Sequence, residues 1–156
     1  MILGDPVDVL LVEDNPAEAE LMTRAIKNRN LGNKIVHFLD GYASLDFVSA
    51  NIWSVHWKPE NAPKLILVDL NLADMDGLEV VRQLKVRERT RPIPIVIFTG
   101  SELASQILES YNVGANSYVV KPNDSKDYAR VVGDIAEYWL KINRSFNTAA
   151  QEVSVA

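Results

Sequence analysis

The 156-residue chain holds 16 basic and 21 acidic residues, a net charge of −5, which leaves no broad basic surface for nucleic acid. It has no cysteine and only two histidines, His37 and His56, which excludes disulfide scaffolds, thiolate metal sites, cysteine nucleophiles and multi-histidine centres. With 47% hydrophobic and 24% charged residues, the chain suits one globular domain that folds without a metal staple.

Residues 7–12 (VDVLLV) read as a first strand. Their apolar run is far shorter than the ~20 residues of a membrane span. No basic segment leading into an apolar one precedes them, so a cytoplasmic protein without membrane contact is expected. Asn15-Pro16 then opens a helix as cap and first-turn proline, with Glu18 and Glu20 near the positive end of its dipole. Leu21, Met22, Ala25 and Ile26 form its apolar stripe, and it should end near residues 30–32.

A second strand over residues 35–39 precedes a short helix over 43–50. Residues 51–63 (NIWSVHWKPENAP) fall outside the strand–helix rhythm, and Trp53, His56 and Trp57 are expected to pack this insertion against the body. A third strand covers residues 65–68. Asp76 and Glu79 then resemble a capping box before a helix with Leu78, Val81 and Leu84 inward. The fourth strand spans residues 93–98, and Leu103, Ile107, Leu108 and Tyr111 mark a helix closed by Gly114. The fifth strand spans residues 117–120. The last helix carries Tyr128, Val131, Val132, Ile135, Trp139 and Ile142 at helical spacing. Near-continuous apolar strands alternating with helices predict an α/β fold: a five-stranded parallel sheet with helices on both faces, over residues 1–143, and a flexible tail over 144–156.

In such sheets the site lies beyond the carboxyl ends of the strands. There the chain places Glu13-Asp14 after the first strand, Asp69 and Asn71 after the third, Thr99-Gly100 after the fourth and Lys121-Pro122 after the fifth. Three clustered carboxylates repel one another and call for a cation. Oxygen ligands without histidine or thiolate favour Mg2+, which keeps waters and shares phosphate oxygens. Lys121 and Thr99 suit the phosphate, so the implied chemistry is phosphoryl transfer with a carboxylate nucleophile. An aspartyl-phosphate phosphatase would want a second carboxylate where Asn71 stands, and a flavin module would want a hydroxyl- and glycine-rich loop where Glu13-Asp14 stands.

These residues, in this order at strand ends, resemble a response-regulator receiver domain of two-component signalling over about residues 7–143, with its flavodoxin-like (βα)5 fold. The intervals of 30 residues from Asp69 to Thr99 and 22 from Thr99 to Lys121 fit that family. The resemblance implies that Asp69, in VDLNLADMDG, accepts a phosphoryl group from a sensor histidine kinase, assisted by Thr99 and Lys121. It implies a Mg2+ site of Asp14, Asp69 and the Asn71 backbone carbonyl, with Glu13 acting through water, and a switch pair of Thr99 and Tyr118. It also implies a cis Lys121–Pro122 bond, and a signalling switch with at most slow self-dephosphorylation rather than an enzyme. The long segment before the third strand and YWLKI in the last helix resemble stand-alone regulators associated with bacterial phytochrome kinases, which points to such a kinase as partner. Two departures stand out: Ala73 where the family usually has proline, and Gly100 where alanine or serine is commoner. Asn71 and Ser101 should border the path of hydrolytic water. Consecutive Tyr138, Trp139 and Leu140 cannot all face one sheet, so the surplus apolar area suggests a homodimer through the fifth helix.

Overall fold

A computed structural model describes residues 6–31, 34–53 and 55–155, apart from the side chains of residues 52 and 53. Its five strands are β1 (Val9–Val12), β2 (Ile35–Phe38), β3 (Leu65–Val68), β4 (Ile95–Thr99) and β5 (Ser117–Val120). All pair in parallel, in the order β2-β1-β3-β4-β5. The expected α/β sheet is therefore present. β4 starts two residues later than the sequence suggested because Pro94 has no N–H for the ladder; its carbonyl accepts from Ile66 instead, at 2.9 Å.

Among the described residues six α-helices accompany the sheet: α1 (Pro16–Asn28), α2 (Gly41–Trp53), α3 (Gly77–Val86), α4 (Ala104–Asn112), α5 (Ser125–Glu137) and α6 (Phe146–Val155). The strand period of two divides the core. Leu10, Val12, Ile66, Val68, Ile95 and Ile97 meet Leu45, Val48, Leu78, Val81 and Leu84 of α2 and α3 on one face. Val9, Leu11, Leu65, Leu67, Val96 and Phe98 meet Met22, Ile26, Tyr128, Val132 and Ile135 of α1 and α5 on the other.

Asn15 caps α1, its side-chain oxygen accepting from Ala17 N and Glu18 N. The helix closes at Asn30, whose φ of 56° lets Leu31 N reach Ile26 O and Asn30 N reach Lys27 O. Its buried side is Ala19, Met22, Ala25 and Ile26, so Leu21 is left outside the core stripe. α2 is longer than expected at both ends. Asp74, in the β3–α3 loop, accepts from both Gly41 N and Tyr42 N at 3.0 Å, a cap supplied from distant sequence. Glu79 does not complete a capping box; Asp76 alone accepts from Leu78 N while Glu79 engages Arg82 and Gln83. The predicted α4 stripe faces largely outward, with Leu103, Leu108 and Tyr111 exposed.

Two corrections concern the C-terminal region. After Glu137 the chain makes a π-helical turn over Tyr138–Ile142, closed by Asn143 N on Tyr138 O at 2.6 Å. The wider turn rotates the following residues, so Ile142 is 66% exposed instead of continuing the inward stripe, while Trp139 and Leu140 pack against the core. Residues 144–156, expected to form a flexible tail, contain α6. This helix docks on the 3-10 turn Pro59–Asn61 and contributes Phe146 to the core cluster that also takes Trp57. Trp57 packs as expected and carries the Arg89 guanidinium 5.1 Å from its ring centre. His56 is exposed, and the Trp53 side chain lies outside the described residues.

Candidate phosphoryl-acceptor site

Because β1 and β3 are neighbours, with Val12 paired to Val68, the residues following them emerge side by side. Asp69 N donates to Val12 O at 3.0 Å, fixing the two strand ends together. Glu13 and Asp69 are buried and Asp14 half-buried; one ligand oxygen from each lies within 4.8 Å of the others. Glu13 Oε1 accepts from Asn15 N at 3.1 Å, and Asp69 Oδ1 accepts from Asn71 N at 3.1 Å. The carboxylates are thus oriented by main-chain donors of their own loops. His37 is tied to the Glu13 carbonyl at 2.7 Å and adds no metal ligand.

Lys121 arrives from β5. Its main-chain N donates to Thr99 O at 2.8 Å, and its Nζ donates to Glu13 Oε2 and Asp69 Oδ2, each at 2.8 Å. A third carboxylate, Glu18 from the first turn of α1, also binds Nζ. Burial alone would push the ammonium down, but Asp69, Glu13 and Glu18 hold it protonated far above its ordinary range. Burial pushes the Glu13 carboxyl up to about 7 against the pull of Lys121. One ammonium does not balance this many carboxylates, and an oxygen-only donor set of this spacing fits a hard divalent cation. No peptide bond among the described residues is cis. Lys121–Pro122 is therefore trans, the isomer favoured by about 0.5–1 kcal/mol, and it still delivers Nζ into the carboxylates.

Thr99 Oγ1 lies fully buried without a hydrogen-bond partner. An orphan hydroxyl at the end of β4 is a donor waiting for an acceptor. Tyr118 is half-buried and donates its hydroxyl to Ser101 O at 2.8 Å, linking β5 to the loop after Thr99. A cleft of about 360 Å3 opens over the site between Asp14, Asn71, Ala73, Met75 and Gln106. Ser101 engages Gln106 at its margin. The loop containing Ala73 is held by a two-residue bridge between Asn71 and Asp76 and by Gly77 N on Leu70 O at 2.9 Å, so it is closed without the proline.

The structure therefore brings Glu13, Asp14, Asp69, Asn71, Thr99 and Lys121 to one strand-end edge, with Tyr118 two residue pairs back along the β4–β5 ladder. Two residues of the site were not singled out by sequence. Glu18 reads as a favourable helix-dipole charge, yet its place in the turn directly after the acidic pair hangs it over the same edge. Gly77 closes the stretch VDLNLADMDG, and a Cβ there would stand 2.1 Å from Asp69 O, so only glycine lets α3 start against the Asp69 main chain.

The strand order, the acidic trio and the lysine at the edge strand define a receiver, and the response regulator receiver domain profile matches residues 9–132. The chain belongs to that family. The probable methanogenesis regulatory protein FilR2 of Methanothrix harundinacea is 39% identical over 141 residues, 90% of this chain and 88% of its own length. Response regulator Rcp1 of Synechocystis is 32% identical over 138 residues, 87% of this chain and 90% of its own. The crystal structure of Mn2+-bound Rcp1 superposes with a TM-score of 0.79 at 30% identity, covering 90% of this chain and 99% of that one. The phosphorylated cyanobacterial phytochrome response regulator RcpA gives the same TM-score and identity, over 90% of this chain and 98% of its own. A regulator named for a cyanobacterial phytochrome is thus among the solved structures to which this chain is similar. Among the described residues no helix is long and apolar enough to cross a membrane.

Proposed function

We propose that this chain is a phosphorylation switch of a cytoplasmic two-component pathway. An Asp69 carboxylate oxygen attacks the phosphorus of a kinase phosphohistidine. The new O–P bond gives an acyl phosphate; the P–N bond breaks, and the imidazole nitrogen keeps the electron pair and takes a proton from solvent. Asn71 N holds the carboxylate in place, and Lys121 Nζ, already 2.8 Å from Asp69, follows the transferred group as a point charge. Thr99 Oγ1 gains in the phosphoryl oxygen the partner it lacks at rest. The Lys121 ammonium 2.8 Å from an Asp69 carboxylate set among three clustered carboxylates is the observation that carries the reading.

Asp14, Asp69 and the Asn71 backbone carbonyl, with Glu13 through water, would hold Mg2+, which when bound supplies neutralising charge to the phosphoryl oxygens. As Thr99 turns to the phosphoryl group, Tyr118 exchanges its bond to Ser101 for a new position, reshaping the α4–β5–α5 face. Hydrolysis past Asn71 and Ser101 is slow, so the protein is a switch rather than an enzyme. Output runs through protein contact, including a second copy docked on the α5 region, where Tyr138 and Ile142 are exposed. Regulators named for cyanobacterial phytochromes among its relatives favour a phytochrome-type histidine kinase as donor and give no reason to invoke nucleic acid.

The test is intact-mass measurement after acetyl phosphate and Mg2+. Wild type should gain one phosphoryl group and Asp69→Asn none. Undiminished labelling of Asp69→Asn overturns the assignment.

A further inference from the structure

An ammonium has three N–H donors, and on Lys121 carboxylates take all of them: Glu13 and Asp69 at 2.8 Å, and Glu18 from α1. Lys121 is 11% exposed and Glu18 33%, so the third pair is partly desolvated, and water screens it less than a surface ion pair. Glu13 and Asp69 belong to the strand-end constellation; Glu18 enters from the side.

A phosphoryl group arriving on Asp69 needs donors from Lys121, and a donor held by Glu18 is not available to it. Glu18 also places one more negative charge beside an incoming anion. Space exists for it to withdraw: a cavity of about 390 Å3 is lined by Glu18, Leu21, Gly100, Lys121, Pro122 and Tyr128. Tyr128 is one of its lining residues; its ring packs edge-on against Phe98 at 5.2 Å, and its hydroxyl is buried with no hydrogen-bond partner. Burial pushes that phenol upward, so it stays an O–H donor.

We propose that Glu18 is a positioning residue that competes with the phosphoryl group for the Lys121 ammonium, favouring the resting state over the phosphorylated one. When Lys121 turns to the phosphoryl oxygens, the Glu18 carboxylate moves into the adjoining cavity, where the Tyr128 hydroxyl is the unspent donor. The inference rests on the phosphoacceptor reading of Asp69.

The experiment compares wild type, Glu18→Gln and Glu20→Gln, the last removing the same charge from the same helix at an exposed residue paired with Arg24. Mg2+ is titrated alone, then beryllofluoride at saturating Mg2+, both followed by amide NMR shifts. Glu18→Gln should bind beryllofluoride about five- to tenfold more tightly, the difference between the charge-assisted hydrogen bond to Lys121 and the weaker one that a neutral amide oxygen still makes. It should bind Mg2+ alone roughly twofold more weakly, because a nearby negative charge is gone. Glu20→Gln should move neither constant. A purely structural role would lower stability without opposite shifts in the two affinities. Equal or weaker beryllofluoride affinity in Glu18→Gln, or the same gain in Glu20→Gln, overturns the inference while leaving the phosphoacceptor reading intact. Failure of wild type itself to take up beryllofluoride refutes both.

Discussion

Replacing Thr99 by valine should stabilise the resting protein and disable it at the same time. The hydroxyl is fully buried and unpartnered, so the folded state carries its desolvation without compensation. Such a group costs about 1–3 kcal/mol. Valine removes that cost, for a net gain of about 1–2 kcal/mol once some misfit of shape is allowed. At about 2–4 °C per kcal/mol for a chain of this size, Tm should rise by roughly 2–8 °C. The phosphorylated state loses a donor to an anionic oxygen, worth about 1.5–3 kcal/mol, so beryllofluoride should bind about 10–150-fold more weakly. Urea denaturation with and without Mg2+ and beryllofluoride measures both: the variant should lead without ligand and lose the ligand-dependent stabilisation that wild type shows. A Thr99→Val protein less stable than wild type in the absence of ligand would mean that the hydroxyl is satisfied at rest, and the argument would fail.

Gly77→Ala should cost about 2–3 kcal/mol in urea denaturation and impair labelling by acetyl phosphate, because its Cβ would meet the Asp69 and Leu70 main chain; stability equal to wild type would refute the close approach. Gly100→Ala should be neutral or gain up to about 1 kcal/mol in the same measurement, since nothing lies within 4 Å of the added Cβ; a clear loss would show a conformation reserved for glycine. In sedimentation, wild type should dimerise and Tyr138→Asp should remain monomeric, given the 47% exposure of this tyrosine; a wild-type monomer with and without beryllofluoride would rule the dimer out.

The sheet and the strand-end residues were legible because both follow from short-range rules. Continuous apolar runs such as Val9–Val12 and Leu65–Val68 are too short for buried helices and fit doubly covered strands, and parallel strands present their carboxyl ends at one edge. What could not be read depended on distant partners or small changes of helical pitch. The start of α2 is set by Asp74 from another loop, which holds Gly41 N and Tyr42 N ahead of the local Asp40 cap on Ala43 N. The fate of Ile142 depends on a π turn that leaves no pattern in apolar spacing. α6 looks small and polar because its one large core residue, Phe146, finds its site in the equally irregular segment around Trp57 and Ala62. Leu21 was assigned to the core by a one-residue error of phase. Ala19, not Leu21, sits on the buried side, leaving the leucine to wall the cavity beside Lys121. Glu18 shows the same limit at the site: its charge was legible, its partner across the sheet was not.

The strand order distributes the site over parts of the sheet with unequal resistance to opening. β1 and β3, which carry Glu13, Asp14 and Asp69 at their ends, have a neighbour on each side and are buried throughout. β5, which leads to Lys121 and bears Tyr118, is hydrogen-bonded to β4 alone and is half-buried along its length. Peeling β5 breaks one ladder; moving β1 or β3 breaks two and the core with them, so local fraying is far cheaper at the margin. Any group that joins Asp69 to Thr99 and Lys121 is therefore a staple from the stiff centre to the loose edge. At rest the Lys121 ion pairs to Glu13 and Asp69 already tie that margin to the centre, so an added group would tighten an existing tie, and a partner that favours a quieter edge would read it without any large change of shape.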